Sequence, residues 1–156
     1  METVSLLEFA RSGRFGPVEI GVTREVVETC FGPPEGVGGR SRRDPVPLIW
    51  KYGDVQFTFE PRGGLYLAFV DLDGMLEGVP RGWGGLKIEP WVICSGLSQS
   101  ALLESLAEAE ISYAVRTKPK VELNVVTTAA GVEFGFPIGD SSEDVPGRLA
   151  YIAKSP

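Results

Sequence analysis

An α+β fold made of two tandem degenerate repeats, each a helix packed on an antiparallel β-meander, follows from three features of this 156-residue sequence. The first is a pattern that occurs twice. Gly21-Val22-Thr23, Val26-Val27-Glu28-Thr29, Val55 to Phe59 and Leu67-Ala68-Phe69-Val70 recur as Gly96-Leu97-Ser98, Leu102-Leu103-Glu104-Ser105, Val132 to Phe136 and Leu149-Ala150-Tyr151-Ile152. The separations grow from 75 residues for the glycines to 82 for the last strand, as small loop insertions between two copies require. The second feature is a switch of hydrophobic period from 3.6 to 2 within each copy. The third is the large number of turn formers, 20 glycines and 12 prolines, which favours many short strands.

Each element has a local reason. A helix is expected over Thr3–Arg11, with Thr3 as cap, Leu6, Leu7, Phe9 and Ala10 as apolar area and Gly13 as stop. A second helix begins at the cap Thr23, where Val22 and Val27 fit a hydrophobic staple, and ends at Gly32-Pro33-Pro34. Strands follow at Leu48–Tyr52, Val55–Phe59 and Leu65–Asp71, the first two joined by a Gly53-Asp54 hairpin turn. Val55, Phe57 and Phe59 share one face, leaving Gln56, Thr58 and Glu60 on a wet side. In the second copy Ser98 caps a helix that carries Leu102, Leu103, Leu106 and Ala109 at helical spacing as far as Ile111. The strands Val121–Val126, Val132–Phe136 and Leu149–Ala153 complete it. Residues 1–77 form the first repeat, 78–90 a Gly/Pro-rich linker with a short strand at Leu86–Glu89, and 91–156 the second repeat.

Composition narrows the function. A net charge of −6 argues against nucleic acid, because phosphate binding needs a clustered excess of Lys and Arg. No apolar run reaches the roughly 18 residues of a membrane span, and Met1-Glu2-Thr3 does not open a signal peptide, so a cytoplasmic protein is expected. The absence of histidine excludes His-based triads and imidazole acid–base chemistry. Cys30 and Cys94 read as small buried hydrophobes. Gly36 to Arg40 lacks the Gly-Lys-Ser/Thr ending of a phosphate-cradling loop. Counted as an EF-hand from Asp71, the twelfth position is Gly82, which has no carboxylate. No cofactor and no metal site are expected.

Gly21-Val22-Thr23-Arg24-Glu25-Val26, Phe31-Gly32-Pro33 and Trp50-Lys51-Tyr52, followed by Phe57 and Phe59, resemble the small repeat of the β-lactamase-inhibitor-protein and SmpA-like group of bacterial proteins. The second copy departs from it, lacking the Gly-x-Pro helix ending and the Trp-x-Tyr pair, and the SmpA-type lipid-attachment cysteine is absent. What the resemblance implies is a tandem scaffold that binds protein through an exposed sheet face and loops. The residues expected to make contacts are Trp83, Arg40, Arg42, Arg43, Trp50 and Tyr52, since aromatics and arginine dominate interface hot spots.

Two other readings compete with this protein-binding one. Asp71-Leu72-Asp73-Gly74 after an apolar strand resembles the first motif of haloacid-dehalogenase-type phosphatases. In that reading Asp71 is the nucleophile, Asp73 the general acid/base, Ser95 and Lys118 or Lys120 hold the phosphoryl group, and Asp140 with Asp144 ligate Mg²⁺. Against it stand Met75 in place of the usual threonine and a segment after Gly74 with no helical period to form a parallel crossover. The third reading is a small-ligand sensor with a pocket between helices and sheet. The preferred reading is a non-enzymatic module of inhibitor or immunity type for a protein partner that the sequence does not identify.

Overall fold

Eight strands form one antiparallel sheet in the order β2-β3-β4-β5-β10-β9-β8-β7. The computed structural model describes residues 1–43, 45–73, 78–138 and 147–156. In chain order the elements are β1 (Glu2–Ser5), α1 (Leu6–Ser12), α2 (Arg24–Phe31), β2 (Gly36–Gly38), β3 (Ile49–Tyr52), β4 (Val55–Phe59), β5 (Leu65–Asp71), β6 (Leu86–Glu89), α3 (Gln99–Glu108), β7 (Tyr113–Lys118), β8 (Leu123–Thr128), β9 (Glu133–Pro137) and β10 (Tyr151–Lys154). A 3₁₀ turn, Pro119–Val121, links β7 to β8. The α+β class and the dominance of antiparallel pairing are as the sequence predicts. None of the helices among the described residues is long and apolar enough to cross a membrane.

The helix starts show how local chemistry sets the boundaries. Thr23 and Ser98 sit in extended backbone and accept hydrogen bonds from the amides of Val26 and Ala101, satisfying donors that the first helical turn leaves open. The cap of the first helix lies two residues later than expected. Ser5, not Thr3, is the cap, and its hydroxyl oxygen accepts from Glu8 N at 3.2 Å. Residues Glu2–Ser5 instead pair in parallel with Leu86–Glu89, so a long-range pairing overrides a weak local helical pattern. The third helix stops at Glu108, and Glu110 turns into the left-handed region before β7.

The β3–β4 hairpin closes through Gly53-Asp54, with Tyr52 opposite Val55. Successive registers then fix which side chains share a face. Phe57 lies opposite both Trp50 and Ala68, and Val70 lies opposite both Val55 and Ile152. Ile152 in turn faces Phe134, which faces Val126. These residues, apart from the partly buried Trp50, are buried in one cluster with Leu6, Phe9, Val27, Phe31, Leu102 and Leu106 of the helices. The helices α1, α2 and α3 therefore cover the same side of the sheet. The pairing of β5 with β10 joins the halves, and one core runs through both.

The segment 78–90 is docked rather than loose. Asp54 N donates to Arg81 O at 2.9 Å and Arg81 N to Asp54 Oδ2 at 2.7 Å, while Gly85 N donates to Phe31 O at 3.0 Å. The chain thus crosses from the hairpin tip to the end of α2 before β6 pairs with β1.

Candidate interaction surface

The registers that bury one face assign every intervening residue to the other. One row across that open face reads Lys51, Gln56, Phe69, Ala153, Glu133, Thr127, Ala114, from β3 to β7. The next reads Asp71, Tyr151, Gly135, Val125, Arg116. None of these residues belongs to the buried core cluster, and among the described residues no helix packs over them. A sheet with one face wet normally shows polar residues there. Here the middle is largely apolar: Leu67, Phe69 and Tyr151 are half-buried, Ala153 and Val125 are buried, and the charged Asp71 and Glu133 stand beside Tyr151 and Ala153.

Phe69 and Tyr151 stack across the β5–β10 seam with ring centroids 5.5 Å apart and planes 17° from parallel. The Tyr151 ring lies over Gly135, where a Cβ would run into the ring atoms Cε1 and Cζ, so that close approach requires glycine. Partial burial raises the Tyr151 phenol above its ordinary value, the nearby Glu133 carboxylate adds to the rise, and Arg116 opposes it. Arg116 Nη2 meets Glu133 Oε1 at 3.7 Å. Both ends of that pair are partly exposed, so it contributes less than about 1 kcal/mol.

The residues expected at the site divide. Trp83 is 50% exposed, in a turn closed by Leu86 N donating to Trp83 O at 3.0 Å. Arg40, Arg42 and Arg43 are exposed in the connection between β2 and β3. Trp50 and Tyr52 point to the helix side of β3 and so are not part of the open face. Trp50 packs edge-to-face on Phe59 at 5.2 Å, and Tyr52 is completely buried, its hydroxyl donating to Gly32 O at 2.8 Å. Tyr52 is a core residue that seals the end of α2 to the sheet. Phe69 and Tyr151 are site residues that sequence reasoning does not single out; the one signal for them is that they hold the same place in the two copies of Leu-Ala-aromatic-aliphatic.

Removal of the Tyr52 hydroxyl is expected to cost about 0.5–1.5 kcal/mol. Burial raises its phenol above the ordinary value of 10. The unfolded chain then ionises first, so the Tyr52 contribution to stability is full below pH 10 and declines as pH rises from there toward the folded value. Tyr52→Phe should flatten the alkaline limb of a stability-versus-pH curve from urea titrations; an unchanged limb would refute the assignment.

The residues of the phosphatase reading sit in a different frame. β5 runs antiparallel to both neighbours, β4 and β10, so Asp71 does not end a strand of the parallel sheet that this reading requires. Asp71 Oδ1 accepts from Asp73 N at 3.0 Å, a local turn, and Ser95 N donates to Gly78 O at 2.9 Å. Asp140 and Asp144 lie outside the described residues. Among the described residues no three Cys, Asp or Glu side chains group as metal ligands. Cys30 and Cys94 are free and half-buried against the core, and burial raises the Cys30 thiol above its ordinary value, with Glu2 adding to the effect. No protein family, no curated protein and no solved structure matches this chain.

Proposed function

We propose that this chain is a protein-binding module of the inhibitor or immunity type, without catalysis of its own, that takes its partner on the open face of the sheet. The observation that carries the reading is the half-buried apolar group Leu67, Phe69 and Tyr151, turned away from the helices and seated on the buried Ala153 and Val125. Aromatics flanked by charged side chains are a composition found at interface hot spots. Trp83 and the Arg40–Arg43 loop would extend the contact beyond the sheet. Two free cysteines suit a reducing cytoplasm.

The tandem-repeat origin belongs to the same proposal, as does the likeness to the β-lactamase-inhibitor-protein group. The strand order supports it: β2-β3-β4-β5 and β7-β8-β9-β10 meet at their last strands. Val70 and Ile152, equivalent in the internal alignment, stand directly opposite each other, as a local two-fold relation between the copies demands. Phe57 faces Ala68, whereas its counterpart Phe134 faces Ile152 rather than Ala150. That slip of two residues leaves every side chain on its own face.

The test is affinity capture from a lysate of the source organism with tagged protein and with Phe69→Ala and Tyr151→Ala variants whose melting curves show an intact fold. One stoichiometric partner on the parent protein, weakened about 30-fold or more by either variant, is the expected result for a hot-spot pair. A partner held equally by all three proteins would overturn the open-face reading.

A further inference from the structure

We propose that β7 is a docking edge, which accepts an extended acidic segment of the partner as a ninth strand of the sheet; the inference rests on the protein-binding reading and names the chemistry of what is bound. The sheet has two edges, and they differ. β2 has three residues, two of them glycine, and offers little to pair with. β7 has six residues, pairs with β8 in unbroken register from Tyr113 opposite Thr128 to Lys118 opposite Leu123, and has no strand on its other side among the described residues. An antiparallel strand directs alternate N–H and C=O groups to each side, so the outer half of the β7 backbone is a template for another chain.

The side chains specify the occupant. On the helix side, Thr117 Oγ1 donates to Asn124 Oδ1 at 2.8 Å, and Asn124 Nδ2 donates to Gln99 Oε1 at 3.2 Å, which ties the start of α3 over β8. Tyr113 and Val115 lie beyond the helix and stay 40% and 46% exposed. On the open-face side stand Ala114, Arg116 and Lys118. Between Tyr113 and Val121 every charged residue is basic, Arg116, Lys118 and Lys120, in a chain of net charge −6. Lys118 and Lys120 pair with no carboxylate among the described residues.

Basic residues on an edge strand are also a device against indiscriminate pairing. The two roles agree here, because the same charges that repel a second copy of β7 attract an acidic strand. The fitting segment carries Asp or Glu at alternate positions, facing Arg116 and Lys118, and apolar residues between them, packing on Tyr113 and Val115. Its acidic side would continue the row that ends at Tyr151, Val125 and Arg116, so the edge and the open face form one surface.

The probe is a random peptide library displayed on phage and selected on the whole protein at low ionic strength. Expected are peptides with acidic residues at alternate positions, binding that weakens with added salt, and slowed amide exchange within Tyr113–Lys118 when a synthetic consensus peptide is present. Arg116→Glu and Lys118→Glu should each lower its affinity about tenfold or more, with Lys118→Gln intermediate as a milder variant that tests charge without reversing it. Selection of non-acidic peptides, no selection at all, or acidic peptides indifferent to these changes would overturn the proposal. Peptides that lose affinity with Phe69→Ala but not with the β7 variants would sink the edge-strand inference alone and leave the open-face reading standing.

Discussion

Phe57→Ala should lower stability by about 3–5 kcal/mol, the range for removing a large aromatic side chain from a filled core. Phe57 is fully buried at the centre of β4. Its ring stacks on Phe31 at 5.8 Å with planes 4° apart, and meets Phe15 at 5.6 Å and Tyr52 at 5.7 Å edge-on. Those partners come from α2, from the turn after α1 and from β3. The cavity would therefore open where three elements converge, and none can close it without leaving contacts of its own. A domain of this size is stable by only about 5–15 kcal/mol, so the variant should lose much of its total. Urea unfolding of Phe57→Ala and of Phe57→Leu checks this: a large drop in midpoint for alanine, at unchanged slope, with a smaller drop for leucine, is expected. A loss under about 1 kcal/mol for alanine would show that the aromatic cluster does not organise this half of the sheet.

What the sequence revealed follows from where burial leaves a periodic trace. The caps Thr23 and Ser98, the Gly53-Asp54 turn and the inward set Val55, Phe57 and Phe59 were legible because each has one local cause. β7 was not. Five of its six residues are exposed, so neither face alternates and no hydrophobic period marks it as a strand. β1 was hidden by Leu6, Leu7, Phe9 and Ala10, whose helical spacing extends the apparent helix back over a strand that exists only through pairing with β6. Gly36-Val37-Gly38 carries no strand signal of its own, and is a short strand held by β3.

The misplaced aromatics have a different cause. Period-two alternation tells which residues share a face but not which face the helices cover. Trp50 and Tyr52 suit an interface by residue type, which does not say which face of the sheet they occupy. They lie with Phe57 and Phe59, whose burial marks that side as the core. Assigning the core to the Val55-Phe57-Phe59 side and carrying the register from β3 through β4 and β5 to β10 places Phe69 and Tyr151 outside. That step needs strand pairing between residues more than eighty apart, which one sequence does not state.

Gly82→Ala should destabilise the protein by about 1–3 kcal/mol, because the collision it creates is with backbone rather than with a side chain that can swing away. A Cβ at Gly82 would overlap the carbonyl oxygen of Leu86 and press on the Leu86 side chain. Relief requires movement of the backbone that carries Trp83. That backbone is fixed at both ends, by the two Asp54–Arg81 bonds before it and by Gly85 N donating to Phe31 O and Glu2 N to Gly85 O after it. Any shift must weaken the anchor to the hairpin turn or the anchor to α2 and β1. Faster amide exchange at Asp54 and Arg81 would identify the first; at Gly85 and Glu2, the second. Gly36→Ala is the control, since beyond its chain neighbours no atom lies within 4 Å of its Cβ position, and its effect should stay within about 0.5 kcal/mol. Equal melting curves for the two alanine variants would mean that the docked segment yields freely, and Trp83 could then not be held in one place for a partner to meet.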